Sequence, residues 1–296
     1  MKLPSLLLAF LLATPALRAA EPLRIASLHT VTTEIAQRVG GDRVVVTGLV
    51  KPGVDPHDFE PTPDDLKVVA ASDLVIAAGK GLEGYLDKLK QSSGTKAPLL
   101  KAGDTLPNYK AINPPGHEGH DHGTDPHWWH SIAAVEKVVG IVRERLTKLR
   151  PADKAAFEAN ATAYLAELAT LKQWAAAEIA KVPRDQRKLV TTHDAFQFFA
   201  KDYGFKILPI RGISTDDEPS SKGVAELIAA IKKQKVRAIF LESAENPKVL
   251  AEITRETGAK VGGKLYADGL GDGEASTFAG MYRANVNVMV GALSAP

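Results

Sequence analysis

The tripeptide Asp-Pro-His occurs twice, as Asp55-Pro56-His57 and as Asp125-Pro126-His127. Proline fixes the backbone immediately before each imidazole, and the aspartate is placed to orient the loop or to accept the second ring proton. Such a turn met once reads as an ordinary surface feature. Met twice, beside a histidine tract, it points to metal. Five of the eight histidines fall between positions 117 and 130, and His117, His120 and His122 form the tract His-Glu-Gly-His-Asp-His. That composition binds metal weakly, so it is assigned to auxiliary metal capture, against the plainer reading of a solvated polar loop. The chain contains no cysteine, which excludes disulfides and thiolate ligands and leaves nitrogen and oxygen as the only donors.

Two further residues complete a donor set. His193 closes the apolar run Leu189-Val190-Thr191-Thr192, and Asp268 follows Leu265-Tyr266-Ala267, so each is placed at the carboxyl end of a strand, where open α/β sheets bind ligands. His57, His127, His193 and Asp268 lie 66 to 75 residues apart, so they come from different loops and meet only through tertiary folding. Three imidazoles and one carboxylate suit four-coordinate zinc and lack the oxygen-rich shell that magnesium, calcium or manganese prefers. Copper and nickel also accept imidazole. Asp58, Glu60, Asp194, Glu242 and Asp272 are read as solvated or helix-capping groups, and His130 as the start of a helix, with support of a metal ligand from behind as its alternative role.

The elements that must position these residues are those of an α/β protein. Residues 1–20 carry Lys2, an apolar run from Leu6 to Leu12, then Pro15 and small residues, the pattern of a signal peptide. Without Lys2 and Arg18 the formal charge of +2 falls to about zero, which removes nucleic acid and anionic membranes as expected partners. From Leu23 onward short β-branched runs alternate with amphipathic stretches, as in parallel sheets with crossover helices. The spacing predicts an N-terminal lobe over 21–150, with a Gly/Pro- and histidine-rich loop at 104–125. A long alanine-rich bridging helix comes next over 151–182, and a C-terminal lobe over 183–296. Strands are expected at Leu23–Leu28, Arg43–Val50, Asp73–Ala78, Lys188–Thr192, Lys206–Ile210, Val236–Glu242 and Lys264–Ala267. Between the second and third of these the sequence predicts a helix from Pro63, and another is expected over Leu82–Leu89. The ion would lie in the interlobe cleft.

At these residues the sequence resembles the zinc and manganese class of solute-binding proteins that serve ABC importers. The resemblance covers essentially the whole mature chain. It rests on Asp55-Pro56-His57-Asp58-Phe59-Glu60-Pro61-Thr62-Pro63, the histidine-rich loop, Asp125-Pro126-His127-Trp128, Thr192-His193-Asp194-Ala195-Phe196 and Leu265-Tyr266-Ala267-Asp268-Gly269-Leu270-Gly271. It implies a single ion held by His57, His127, His193 and Asp268 between two lobes joined by a rigid helix. Histidine at the third position goes with zinc members and glutamate with manganese members, so His193 implies zinc as the transported ligand. A membrane permease, and also a periplasmic zinc chaperone, are the implied partners of a monomer. The missing lipid-bearing cysteine implies a free periplasmic protein. The alternatives are a manganese or other divalent-metal receptor of the same class, or a zinc hydrolase. For the last the sequence offers no His-Glu-x-x-His pair, Gly-x-Ser-x-Gly elbow or phosphate loop.

Overall fold

The computed structural model describes residues 21–112, 123–213, 220–242 and 247–294. The expected signal peptide and His117, His120 and His122 lie outside these residues. The first half contains strands β1 (Leu23–Ser27), β2 (Val44–Gly48), β3 (Leu74–Ala77) and β4 (Leu99–Lys101), all parallel, in the order β2-β1-β3-β4. The second half repeats the plan with β5 (Lys188–Thr191), β6 (Lys206–Pro209), β7 (Ala238–Leu241) and β8 (Lys260–Lys264), in the order β6-β5-β7-β8. In each sheet the strand order reverses beside the first strand of the half, which leaves a crevice at the carboxyl ends.

Helices cover both faces of each sheet. They are α1 (Thr30–Gly40), α2 (Pro63–Ala70), α3 (Leu86–Ser93), α4 (Ile132–Leu149), α5 (Lys154–Ile179), α6 (Gln197–Tyr203), α7 (Ser221–Gln234), α8 (Pro247–Thr257) and α9 (Phe278–Leu293). Their starts are legible in local chemistry. Thr62 and Asp65 form a reciprocal capping box before α2, and the hydroxyls of Ser131 and Thr277 accept the Ala134 and Gly280 amides at the starts of α4 and α9. Helix α5 has 26 residues, roughly 39 Å at the α-helical rise, and is entered through a 3-10 turn at Pro151–Asp153. It buries Phe157, Ala161, Tyr164, Leu168, Leu171, Ala175 and Ile179, a stripe at helical spacing.

That stripe lies in one hydrophobic cluster that runs through both halves and includes residues of α1, α4, α5 and α9. Smaller cores lie under α2 and α3 on one side and under α7 and α8 on the other. The two sheets therefore share an interior and do not hang on a flexible linker.

Two expectations are corrected and one strand is added. The strand expected at Lys264–Ala267 is β8, four residues earlier, because Gly262-Gly263 reads as a turn. A Cβ at Gly262 would lie 2.7 Å from Phe240, so glycine is what lets the strand pack there. Helix α3 starts at Leu86 and not at Leu82, because the Glu83 carboxylate accepts the Ala78 and Gly79 amides and holds the chain in a turn. The short strand β4 has no counterpart among the expected elements.

Candidate metal centre

The two Asp-Pro-His turns have the same local geometry. In each, the aspartate Oδ1 accepts the histidine backbone N–H at 2.8 Å, so the carboxylate closes a turn around the intervening proline. They differ at the imidazole ring. Asp125 Oδ1 also takes the ring Nδ1–H of His127 at 2.7 Å, and both side chains are fully buried. This bond places the proton on Nδ1 and leaves Nε2 with its lone pair free.

His193 leaves the carboxyl end of β5 and is prepared in the same way by a different element. Its Nδ1 hydrogen-bonds to Glu242 Oε2, just beyond β7, and the other carboxylate oxygen accepts Thr192 N–H at 3.1 Å. Its Nε2 then points at His127 Nε2, 3.3 Å away. His57 Nε2 is 3.1 Å from the same atom.

Asp268 completes the group. Its Oδ1 lies 3.2 Å from His193 Nε2, 3.5 Å from His127 Nε2 and 3.7 Å from His57 Nε2. That oxygen is buried among the three rings. The four ligand atoms all lie within 4.8 Å of one another. Four donors at zinc-ligand distances of ~2.0–2.1 Å define a tetrahedron with edges of about 3.3 Å, and the contacts quoted bracket that length. With Nδ1 of His127 and His193 committed to carboxylates, their Nε2 atoms are acceptors whenever the rings are neutral. Lone pairs so arranged repel unless a cation lies among them.

The electrostatics agree. Burial alone would strip the proton from His193, but the charges of Glu242 and Asp268 hold its pKa well above the ordinary value. Burial likewise opposes a charge on His127, and the hydrogen bonds to Asp125 and Asp268 raise its pKa on balance. Burial disfavours the Asp268 carboxylate, yet His193 and the hydrogen bonds from the three rings hold its pKa well below the usual range. The cluster attracts positive charge, which a proton or a metal ion can supply. The side chains of His57 and Asp268 keep 9% and 11% exposure, while His127 and His193 keep none, so the cluster faces solvent through the first two. A crevice of about 160 Å³, lined by Lys51, Gly53, Val54, Tyr266 and Asp268, reaches the site there. A cavity of about 820 Å³ against Lys235, Arg237 and Lys260 shares no lining residue with this site.

Several expected roles change. Glu242 is buried against His193, neither solvated nor a cap. Asp194 is also buried and accepts Ile112 N–H and Gln197 Nε2, both at 2.6 Å. Burial, reinforced by the Asp125 charge, raises its pKa to about 7. His130 precedes α4 in a 3-10 turn, but it is buried, stacks on Phe196 with centroids 4.3 Å apart and bonds Ala267 O at 2.7 Å. His29, given no role from the sequence, caps α1 and bonds the Asp268 carbonyl. Burial lowers the pKa of both rings to about 3, so they are neutral. Asp58, Glu60 and Asp272 are not buried, as expected. Register is the signal that finds Glu242: β5 pairs with β7 at Val190–Ile239, and three steps further His193 meets Glu242. Asp268 does not sit at a strand end but four residues past β8.

Comparison with known proteins gives the family. Residues 26–292 match the family described as ZnuA, zinc-uptake complex component A, periplasmic. The manganese-binding lipoprotein MntA of Bacillus subtilis is 33% identical, over 92% of this chain and 90% of MntA. The structure of the periplasmic zinc-binding protein TroA of Treponema pallidum superimposes with a TM-score of 0.82 at 28% identity, over 93% of this chain and 99% of TroA. The Mn-bound periplasmic metal-binding protein of Candidatus Liberibacter asiaticus does so with a TM-score of 0.79 at 26% identity, over 90% of this chain and 97% of that one. The chain belongs to the ZnuA family of solute-binding proteins: it is a metal-binding periplasmic receptor of ABC transport, not an enzyme.

Proposed function

We propose that the protein captures zinc at His57, His127, His193 and Asp268 and delivers it to the permease of an ABC importer. The observation that carries this reading is the convergence of three Nε2 atoms and one carboxylate oxygen within 4.8 Å of one another, with His127 Nε2 3.1 and 3.3 Å from the other two rings and Asp268 Oδ1 3.2 to 3.7 Å from all three. Nitrogen-rich four-fold coordination favours zinc over manganese, which takes more oxygen donors. A manganese receptor is the second reading, favoured by the similarity to MntA and to a Mn-bound protein. Native mass measurement of protein purified without added metal, followed by competition between the two ions, tests it. One tightly held zinc is expected, and displacement of zinc by equimolar manganese would reverse the assignment.

In this reading residues 1–20 direct export, 21–150 and 183–296 form the lobes and 151–182 the bridge. MntA is a lipoprotein, whereas these 296 residues hold no cysteine to carry a lipid, which supports a free periplasmic receptor. The histidine tract is assigned to auxiliary capture and to exchange with a zinc chaperone. Its flanks support this: Lys110 and Thr124 form an antiparallel bridge, and Asp125 N–H bonds Tyr109 O, so the segment leaves and returns beside His127.

A further inference from the structure

Asp268 belongs by sequence to the second half of the molecule, yet its backbone is held from the first. Leu265 still bonds Leu241 O in line with the sheet, and Tyr266 exchanges two hydrogen bonds with the Asn285 side chain of α9. There the chain leaves β8. The next carbonyl, Ala267 O, accepts Trp129 Nε1–H at 2.8 Å and His130 Nε2–H at 2.7 Å. The carbonyl of Asp268 accepts His29 Nε2–H at 3.1 Å, and Leu270 N–H donates to Thr30 Oγ1 at 2.8 Å.

The direction of the His29 bond is set by its other nitrogen. Nδ1 accepts the Val31 amide at 3.2 Å, so the neutral ring carries its proton on Nε2. Gly269 is independent support. Its φ of +143° is open to glycine, and a Cβ there would lie 2.4 Å from Thr30 Oγ1, so the close approach of this segment to α1 depends on the missing side chain. The far end is braced as well, because Phe278 N–H, at the start of α9, bonds Glu34 of α1 at 2.6 Å. His193 has the opposite allegiance, through Glu242 at the end of β7.

We propose that these bonds form a latch that makes Asp268 a ligand of the first half, with His29 and His130 as its positioning residues. When the halves part, Asp268 stays with His57 and His127, and His193 is the ligand that leaves. The inference rests on the reading of the cluster as a metal centre.

A double-mutant cycle tests it. His130→Phe keeps the stack on Phe196 and removes the donor to Ala267 O. Zinc affinity, measured by chelator competition, should fall about 10–100-fold in the otherwise native chain, the usual effect of losing a group that orients a ligand. It should fall no further in an Asp268→Ala background, because His130 acts through Asp268. Equal losses in both backgrounds would overturn the latch. A second measurement needs no variant. In hydrogen exchange, the Leu270 amide should be protected as strongly in metal-free as in zinc-bound protein, while the Thr192 amide, bonded to Glu242, should gain protection with zinc. Equal gains at both amides would overturn the assignment. Wild-type protein that takes up no divalent ion would overturn the metal-centre reading and the latch with it, whereas wild type that binds zinc with equal losses overturns the latch alone.

Discussion

Replacing Glu242 by glutamine asks whether His193 is prepared as a ligand by its neighbour. The carboxylate accepts two buried N–H groups, His193 Nδ1 through one oxygen and the Thr192 amide through the other. Glutamine keeps the shape but brings one acceptor oxygen, so one of the two donors meets an NH₂ group. If the oxygen goes to Thr192, the ring proton is driven to Nε2 and the lone pair that faces Asp268 is lost. If it goes to His193, the Thr192 amide is left unpaired. An unsatisfied buried donor costs about 1–3 kcal/mol. At about 1.4 kcal/mol per decade this agrees with the about 10–100-fold loss typical of groups that orient a metal ligand. Glu242→Gln should therefore weaken zinc binding by about 10–100-fold in chelator competition. The deficit should also depend on pH. Glu242 helps hold the His193 pKa well above its ordinary value, so the wild-type ring must shed a proton to bind metal. Without that charge the ring binds both proton and metal more weakly. The deficit should be largest near about pH 8 and shrink toward about pH 6, on either side of the ordinary imidazole pKa. A variant within about threefold of wild type at both ends, well below the usual range, would refute the argument.

Asp268→Asn removes the one charged ligand while keeping its size, and should cost more affinity than the about 10–100-fold expected of Glu242→Gln. In metal-free protein the same change should lower stability more at acid than at alkaline pH. His127 and His193 have raised pKa values, so the stabilisation they draw from Asp268 is full below the unfolded imidazole pKa and is lost as pH rises through the folded one. Denaturant melts at the two extremes check this, and an equal loss at both would contradict it. Glu83 gives a prediction away from the site. Burial raises its pKa from 4.5 to about 7, so the unfolded chain releases the proton first and stability falls as pH rises between those values. The contribution is at most about 3 kcal/mol. Glu83→Gln should flatten that part of the pH–stability curve, whatever it costs through the Ala78 and Gly79 amides, and an unchanged slope would count against the assignment.

The parts of the site that are legible in the sequence are those fixed by local chemistry. Asp-Pro-His is a turn whose three residues contain its own hydrogen bond, so His57 and His127 announce themselves without tertiary information. His193 ends an apolar run that can only be a buried strand. The groups that prepare them are legible only where they lie in the same turn. Asp125 is readable as the partner of His127 because it is two residues away, whereas Glu242, which serves His193 across a strand pair, looks in sequence like a solvated acid. The difference is sheet order, since β5 and β7 are neighbours in space with β6 between them in sequence. The same holds for the ring donors on the Asp268 segment: His29 and His130 precede it by well over a hundred residues, and nothing in the local pattern marks them. The α/β class and the long helix are legible because their periods are long. The strand before Asp268 is misplaced in the sequence reading because Gly262-Gly263 serves packing against Phe240 while looking like a turn.

Selection between zinc and manganese turns on which donor atoms converge more than on their spacing. Manganese prefers oxygen, and the obvious change, His193→Glu, would add one. By itself that substitution should work poorly. The native ring is hydrogen-bonded to Glu242, in a site where His193 and Glu242 are both buried, so a carboxylate at position 193 would face a second carboxylate at close range. Two such groups do not both ionise, and the one that keeps its proton is a weak ligand. Pairing His193→Glu with Glu242→Gln removes the repulsion, and the glutamine NH₂ then donates to the new carboxylate. The double variant should hold two nitrogen and two oxygen donors. Its zinc affinity should fall, and its share of manganese after exposure to equimolar zinc and manganese should exceed that of wild type and of His193→Glu alone. Metal content measured by elemental analysis decides this. If the single change alters the manganese share as much as the pair does, Glu242 does not act on position 193 as the structure indicates, and the account of how His193 is held fails with it.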